Sequence, residues 1–202
     1  MARRRNPRGS GERLRTELIE AANVILDRTG DPADVTVRGV AAAVGVAPTA
    51  VYLHFPDRDS LLTEVVVDRF AAFRAAIESA VDGVDDALER LRRGHAAYVV
   101  FALEHPGHYR MLFGDTGVDP DRRDLTARRL EVAQPAFEIL VDCCRWCIDA
   151  GVFAAVDARA LAGSLWAFEH GWVVLRAGRV DLASVEAEAL AGLDVLLAGL
   201  RP

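Results

Sequence analysis

The sequence predicts an all-α fold, with an N-terminal three-helix helix-turn-helix domain followed by a C-terminal helical bundle. Three observations predict it. Apolar residues recur at helical spacing almost from end to end, the strict alternation of a half-buried strand is nearly absent, and Gly and Pro residues punctuate the chain at intervals of helix length. With 202 residues, 51% of them apolar, the chain is long enough to close a sizeable core.

Each element has its own signals. Leu14, Leu18, Ala22 and Ile25 share one face of a first helix that stops at Thr29-Gly30, since Gly is favoured just past a helix end. A short loop, DPADV, leads to Thr36, which is placed to cap a second helix with Val37, Val40, Ala41 and Val44 inward and Gly45 as its stop. Gly45-Val46-Ala47 makes the turn, and Pro48 suits the first turn of a third, very short helix ending near His54-Phe55. Pro56-Asp57-Arg58-Asp59 breaks the chain and supplies a capping Asp for a long fourth helix over about 60–80, with Leu61, Val65, Phe73 and Ile77 as core. Further helices are expected at about 84–104, 107–113, 121–150, 157–177 and 184–199.

Charge divides the chain. The formal net charge of −6 argues against a surface that coats a polyanion everywhere, so any nucleic-acid contact must be local. Residues 1–15 hold six arginines, Arg3, Arg4 and Arg5 among them, against Glu12 alone. Residues 1–60 carry nine arginines and eight acids, and residues 61–202 carry fifteen and twenty-two. We therefore read residues 1–11 as a basic arm, 12–60 as the helix-turn-helix domain and 61–202 as a ligand-binding and dimerisation domain. All 24 basic residues are Arg, a bias without a functional reading.

The helices at 36–44 and 47–53, joined by a Gly-containing turn of about three residues, have helix-turn-helix spacing, which presents the second helix to the major groove. Thr49, Tyr52 and His54 put hydroxyl and imidazole groups on a helix too short to persist by its own propensity. Arg38, Arg58 and the basic arm complete a local cationic set of the kind phosphate contacts need.

The segment TVRGVAAAVGVAPTAVYLHFPDRDSLL resembles the DNA-binding segment of the TetR-like (TetR/AcrR) transcriptional regulators, and the likeness covers about residues 12–62. The resemblance implies that Thr36, Thr49, Tyr52, His54 and Arg58 face DNA, mostly its phosphates, with Ala47, Pro48 and Thr49 nearest the base edges. The sequence departs from the family at Arg58, where Lys is common, and at Ala50, where Gly is frequent. EHPGHYRMLFG and SLWAFEHGWVVL resemble the ligand-binding domain of the subgroup named for its Trp-His-Gly motif, here Trp166, His170 and Gly171.

Trp166 and His170 stand at i and i+4 and share a helix face, while Phe168 and Trp172 lie on an adjacent one. Gly171 removes bulk beside them, for close helix approach or for a ligand. Buried Trp and His each bring a polar nitrogen that needs a partner, which a ligand, a water or Glu169 would supply. Tyr98, Phe101, Tyr109, Met111, Phe113, Phe137 and Trp146 are the other candidates to line a pocket for a small apolar or aromatic effector. Leu190, Leu193, Leu196 and Leu197 exceed what one face of a monomer would bury, which points to a homodimer on a near-palindromic double-stranded operator.

Other chemistries find little support. Cys143, Cys144 and Cys147 are odd in number and lack the four ligands of a structural zinc site, so we read them as buried thiols of a reducing cytoplasm. His105 and His108 are separated by Pro106 and Gly107 and do not share a helical face, and we assign no metal. No cofactor is expected. There is no Gly-x-Ser-x-Gly, phosphate-cradling loop or HExxH to mark a catalytic site. The residues after Arg5 contain no apolar signal-peptide core, and no apolar run approaches a membrane span. The competing reading is a helical small-molecule-binding protein or enzyme whose helix-turn-helix is only a packing motif.

Overall fold

The computed structural model describes residues 10–113, 121, 123–176 and 182–201. Among these the chain forms α-helices and one 3-10 turn, and no strand. The helices are α1 (Ser10–Thr29), α2 (Val37–Val44), α3 (Pro48–Val51), α4 (Arg58–Val81), α5 (Ala87–Glu104), α6 (Pro106–Phe113), α7 (Arg123–Asp149), α8 (Ala158–Arg176) and α9 (Leu182–Ala198). The all-α fold with an N-terminal helix-turn-helix is the one expected. The arm residues Arg3, Arg4 and Arg5 lie outside the described residues.

Packing groups the chain differently from a linear cut at residue 60. One compact unit comprises Met1–Arg69 with Gly107–Arg129, and a second comprises Phe70–Pro106 with Leu130–Pro202. Helices α4 and α7 each contribute to both.

In the first unit, Leu18, Ala22 and Leu26 of α1 are fully buried together with Val40 and Ala41 of α2, Val51, Phe55, Leu61 and Leu62. The capping chemistry legible in the sequence sets the ends. Gly30 takes φ 68° and donates its N–H to the Leu26 carbonyl at 2.8 Å, closing α1. The DPADV segment is not a plain loop: Pro32–Asp34 forms a 3-10 turn because Asp31 Oδ1 accepts from the Ala33 N–H at 2.8 Å and Pro32 is buried. Asp57 Oδ1 accepts from the Ser60 N–H at 2.7 Å, so α4 starts at Arg58, two residues before its predicted start.

Helix α6 belongs to this unit from Gly107 onward, and Gly107 is not mere punctuation. A Cβ there would lie 2.9 Å from the Leu26 carbonyl oxygen and 3.0 Å from Gly30 Cα, so α6 meets the end of α1 backbone to backbone. Arg110 donates to the Gly30 carbonyl beside that crossing.

The core of the second unit gathers Leu91 of α5, Val141, Cys143, Cys144 and Cys147 of α7, Leu161, Ala162 and Leu165 of α8, and Leu193 and Leu197 of α9. Asp86 caps α5 by accepting from the Glu89 N–H at 2.7 Å, which moves the helix start to Ala87. Pro135 sits inside α7, where it removes one backbone hydrogen bond of the helix. Of the two readings of Gly171, a close helix approach is not found there among the described residues, and one occurs at Gly192. A Cβ at Gly192 would stand 3.1 Å from Phe168 and 3.3 Å from Trp172, whereas one at Gly171 meets nothing within 4 Å.

Candidate functional site

The helix-turn-helix is built by three local devices. Thr36 Oγ1 accepts from the Gly39 N–H at 3.1 Å and fixes the start of α2. Gly45 adopts φ 78°, a left-handed conformation that costs most side chains, and the Val46 N–H then reaches back to the Ala41 carbonyl at 2.9 Å. Ala47 is extended and Pro48 opens α3 with its φ already helical. Val51 and Phe55 are buried and anchor the short helix, leaving Ala47, Pro48, Thr49 and Tyr52 exposed on its outer side. Thr36 and Arg38 are exposed too, and His54 is half-buried with its ring 6.4 Å from that of Phe55.

Arg58 is placed otherwise. Its guanidinium turns back on the protein, donating from Nε to the Val35 carbonyl at 2.8 Å and from a terminal nitrogen to the Pro32 carbonyl at 2.5 Å.

The second unit contains a cavity of about 510 Å³. Its wall is formed by α4 (Phe70, Phe73, Ile77), α5 (Leu91, Gly94, Tyr98), α7 (including Phe137 and Cys143) and α8 (Gly163, Trp166, Ala167, Glu169). Rings dominate it: Phe73 meets Tyr98 edge-on at 5.4 Å, and Phe137 meets Trp166 edge-on at 6.4 Å. Glu169, 3% exposed, is the one charged residue among the described lining residues, and its Oε1 lies 2.8 Å from His95 Nδ1.

Residues 18–65 match the family described as bacterial regulatory proteins, tetR family, and residues 91–199 match the tetracyclin repressor-like C-terminal domain. The chain belongs to the TetR family. A protein of unknown function from Rhodococcus sp. RHA1 has a similar structure, with a TM-score of 0.80 and 26% identity over 98% of this chain and 100% of that one. A TetR-family transcriptional regulator from Pectobacterium atrosepticum gives a TM-score of 0.74 and 25% identity over 97% of this chain and 98% of its own. Among curated relatives, the nucleoid occlusion factor SlmA of Vibrio atlanticus is 30% identical over 100 residues, 50% of this chain and 51% of SlmA. The chain thus spans about half the length of the curated relatives it matches.

Within this TetR-family protein the ten predicted ligand residues separate. Tyr98, Phe137 and Trp166 line the cavity. Phe101 is buried behind it, 5.1 Å from Phe73, and His170 sits beside Trp166 with ring centres 5.8 Å apart. Trp172 packs on Phe168 with Arg176 3.2 Å over its ring, and its buried Nε1 has no hydrogen-bond partner among the described residues. Trp146 is 40% exposed beneath Arg90, which lies 5.1 Å from its ring centre. Tyr109, Met111 and Phe113 belong to α6 in the first unit, where Tyr109 and Met111 are core.

Sequence reasoning missed His95, 74 positions from Glu169 and carrying no local motif; only the contact between α5 and α8 pairs them. The three cysteines are buried, and Cys147 Sγ donates to the Ala87 carbonyl at 3.2 Å. Burial pushes the Cys144 and Cys147 thiols up to about 12, and Cys143 upward too. Burial also lowers His170, favouring its neutral ring. Among the described residues no helix is long and apolar enough to cross a membrane.

Proposed function

We propose that this protein is a ligand-responsive, non-enzymatic transcriptional repressor of the cytoplasm. It binds a near-palindromic double-stranded DNA operator as a homodimer and is released by a small, largely apolar effector. The observation that carries the reading is the outward face of α3, where Pro48, Thr49 and Tyr52 stand exposed on a helix held from behind by Val51 and Phe55. Polar side chains on a short, rigidly backed helix suit base edges and flanking phosphates.

In this reading Ala47, Pro48 and Thr49 approach the base edges, while Thr36, Arg38, Tyr52 and His54 meet the backbone. Thr36 caps α2 with its oxygen and keeps its O–H proton for a phosphate. Arg3, Arg4 and Arg5 add sequence-independent attraction that weakens with salt. Arg58 acts as a positioning residue that holds the turn before α2.

Two further features support effector control and pairing. Helix α4 begins with Arg58 in the first unit and supplies Phe70, Phe73 and Ile77 to the cavity wall in the second, so a ligand that moves those rings acts on a helix shared with the reading head. Its leverage is its differential affinity for the two states. On α8 and α9, Val174, Leu175, Val195 and Leu196 are exposed, an apolar set suited to a symmetric partner; Leu193 and Leu197, expected there, are core. The Trp-His-Gly assignment of Trp166, His170 and Gly171 stays a subgroup reading.

Selection of bound sequences from random duplex DNA tests the proposal. Recovery of a two-fold symmetric site with half-sites a whole number of turns apart is expected. Absence of salt-sensitive duplex binding would instead favour a helical binding protein without a DNA role.

A further inference from the structure

The cavity of the second unit holds one feature that an apolar effector alone does not use. Its lining is almost entirely hydrocarbon and aromatic, yet Glu169 projects from α8 with its side chain 4% exposed. An isolated carboxylate is costly in such surroundings. Its described partner is His95, whose ring is buried at 1% exposure, stacks on Phe168 at 6.2 Å and shares Nδ1 with Glu169 Oε1.

The other end of the ring has no acceptor among the described residues to offer a second N–H. His95 Nε2 is buried and has no hydrogen-bond partner among the described residues. An imidazolium would bury a charged N–H with no acceptor, whereas a neutral ring that donates Nδ1–H to the carboxylate leaves only a bare lone pair. His95 is the described partner of Glu169, so a cationic donor placed in the cavity would find in Glu169 a buried acceptor that its apolar lining does not otherwise offer. Phe70, Phe73, Tyr98, Phe137 and Trp166 line the same cavity, and aromatic rings attract a cation that approaches their faces.

We infer that the cavity selects an amphipathic amine, an ammonium head at Glu169 with an apolar body among the rings. The inference rests on the reading of this cavity as the effector site and names the chemical class it takes. A fatty acid of the same length would set carboxylate against carboxylate, a like-charge pair that costs binding energy. A neutral alcohol would gain the apolar contacts alone.

The test titrates the full chain at pH 7 with decylamine, decanol and decanoate, each as a monomer, following Trp fluorescence and calorimetry. The amine is expected to bind about tenfold tighter than the alcohol, and decanoate weaker than either. In Glu169→Gln the amine should lose its advantage over decanol when both are measured on that variant, with circular dichroism confirming the fold. Should that variant not fold, decyltrimethylammonium against decanol on the unaltered chain reads the same preference. Equal binding of amine and alcohol, or decanoate binding tightest, overturns the inference and leaves the cavity an effector site. Binding of none of the probes overturns both.

Discussion

Arg58 Nε donates to the carbonyl oxygen of Val35 at 2.8 Å, tying the start of α4 to the residue that leads into the helix-turn-helix. The same guanidinium reaches the Pro32 carbonyl at 2.5 Å, so one side chain satisfies two acceptors of a short turn that has few hydrogen bonds of its own. Val35 is fully buried, and its carbonyl would lose its partner if the guanidinium were removed.

Arg58→Ala should therefore destabilise the protein by about 2 kcal/mol, the range for hydrogen bonds from a charged donor. Denaturant unfolding measures this. In DNA binding corrected for the folded fraction, the salt slope should be unchanged. A slope lowered by about one would return Arg58 to the phosphate backbone.

Tyr52 is 53% exposed, so Tyr52→Phe should leave unfolding within about 0.5 kcal/mol of the parent. Its loss should appear in operator affinity, by roughly 1 kcal/mol for one hydrogen bond. Fluorescence anisotropy with a selected operator gives the comparison. Equal affinity of the two proteins would take the hydroxyl out of the interface.

Gly107→Ala should cost about 1–3 kcal/mol, because its Cβ would press on the Leu26 carbonyl and on Gly30, both backbone and unable to swing aside. Gly171→Ala is the control: nothing lies within 4 Å of its Cβ, and replacing Gly in a helix gains up to about 1 kcal/mol. Thermal unfolding of the two variants should move in opposite directions.

Cys144 and Cys147, with thiols pushed up to about 12, stay protonated in the folded state where an unfolded chain ionises near about 8.5. Iodoacetamide at pH 8 should label them only as fast as the protein opens, and labelling at the rate of a free thiol would show the α7 cluster to be open. Linkage gives the sign for stability. The folded values are raised, so their contribution is whole below about pH 8.5 and is lost progressively as pH rises toward about 12. Urea titrations at pH 7 and pH 10 should show lower stability at the higher pH, and Cys144→Ala should reduce that difference.

Local signals were sufficient for much of this protein. The period of the apolar residues, the capping Thr36, the left-handed Gly45 and the leading Pro48 are short-range causes, and the helix-turn-helix stands where they put it. The exposed polar tips of α3 were legible for the same reason, since Val51 and Phe55 carry the packing and leave Thr49 and Tyr52 outward. The start of α4 was legible only to within two residues, because the Pro56–Asp59 stretch offers two aspartates and the structure uses Asp57 as the cap.

Sequence alone determined the helical class, the order of helices and the reading-head motif, because capping, turn and periodicity energies act within a few residues. Tertiary structure decided the rest. It placed Tyr109 and Met111 in the core of one unit and Tyr98, Phe137 and Trp166 around a cavity in the other, a choice among large, mostly apolar residues that helix spacing cannot make. It turned Arg58 inward to two backbone carbonyls, although in sequence it reads as one more phosphate contact. It set His95 beside Glu169 across 74 residues, because a buried carboxylate is tolerated only where the packing of separate helices brings it a donor.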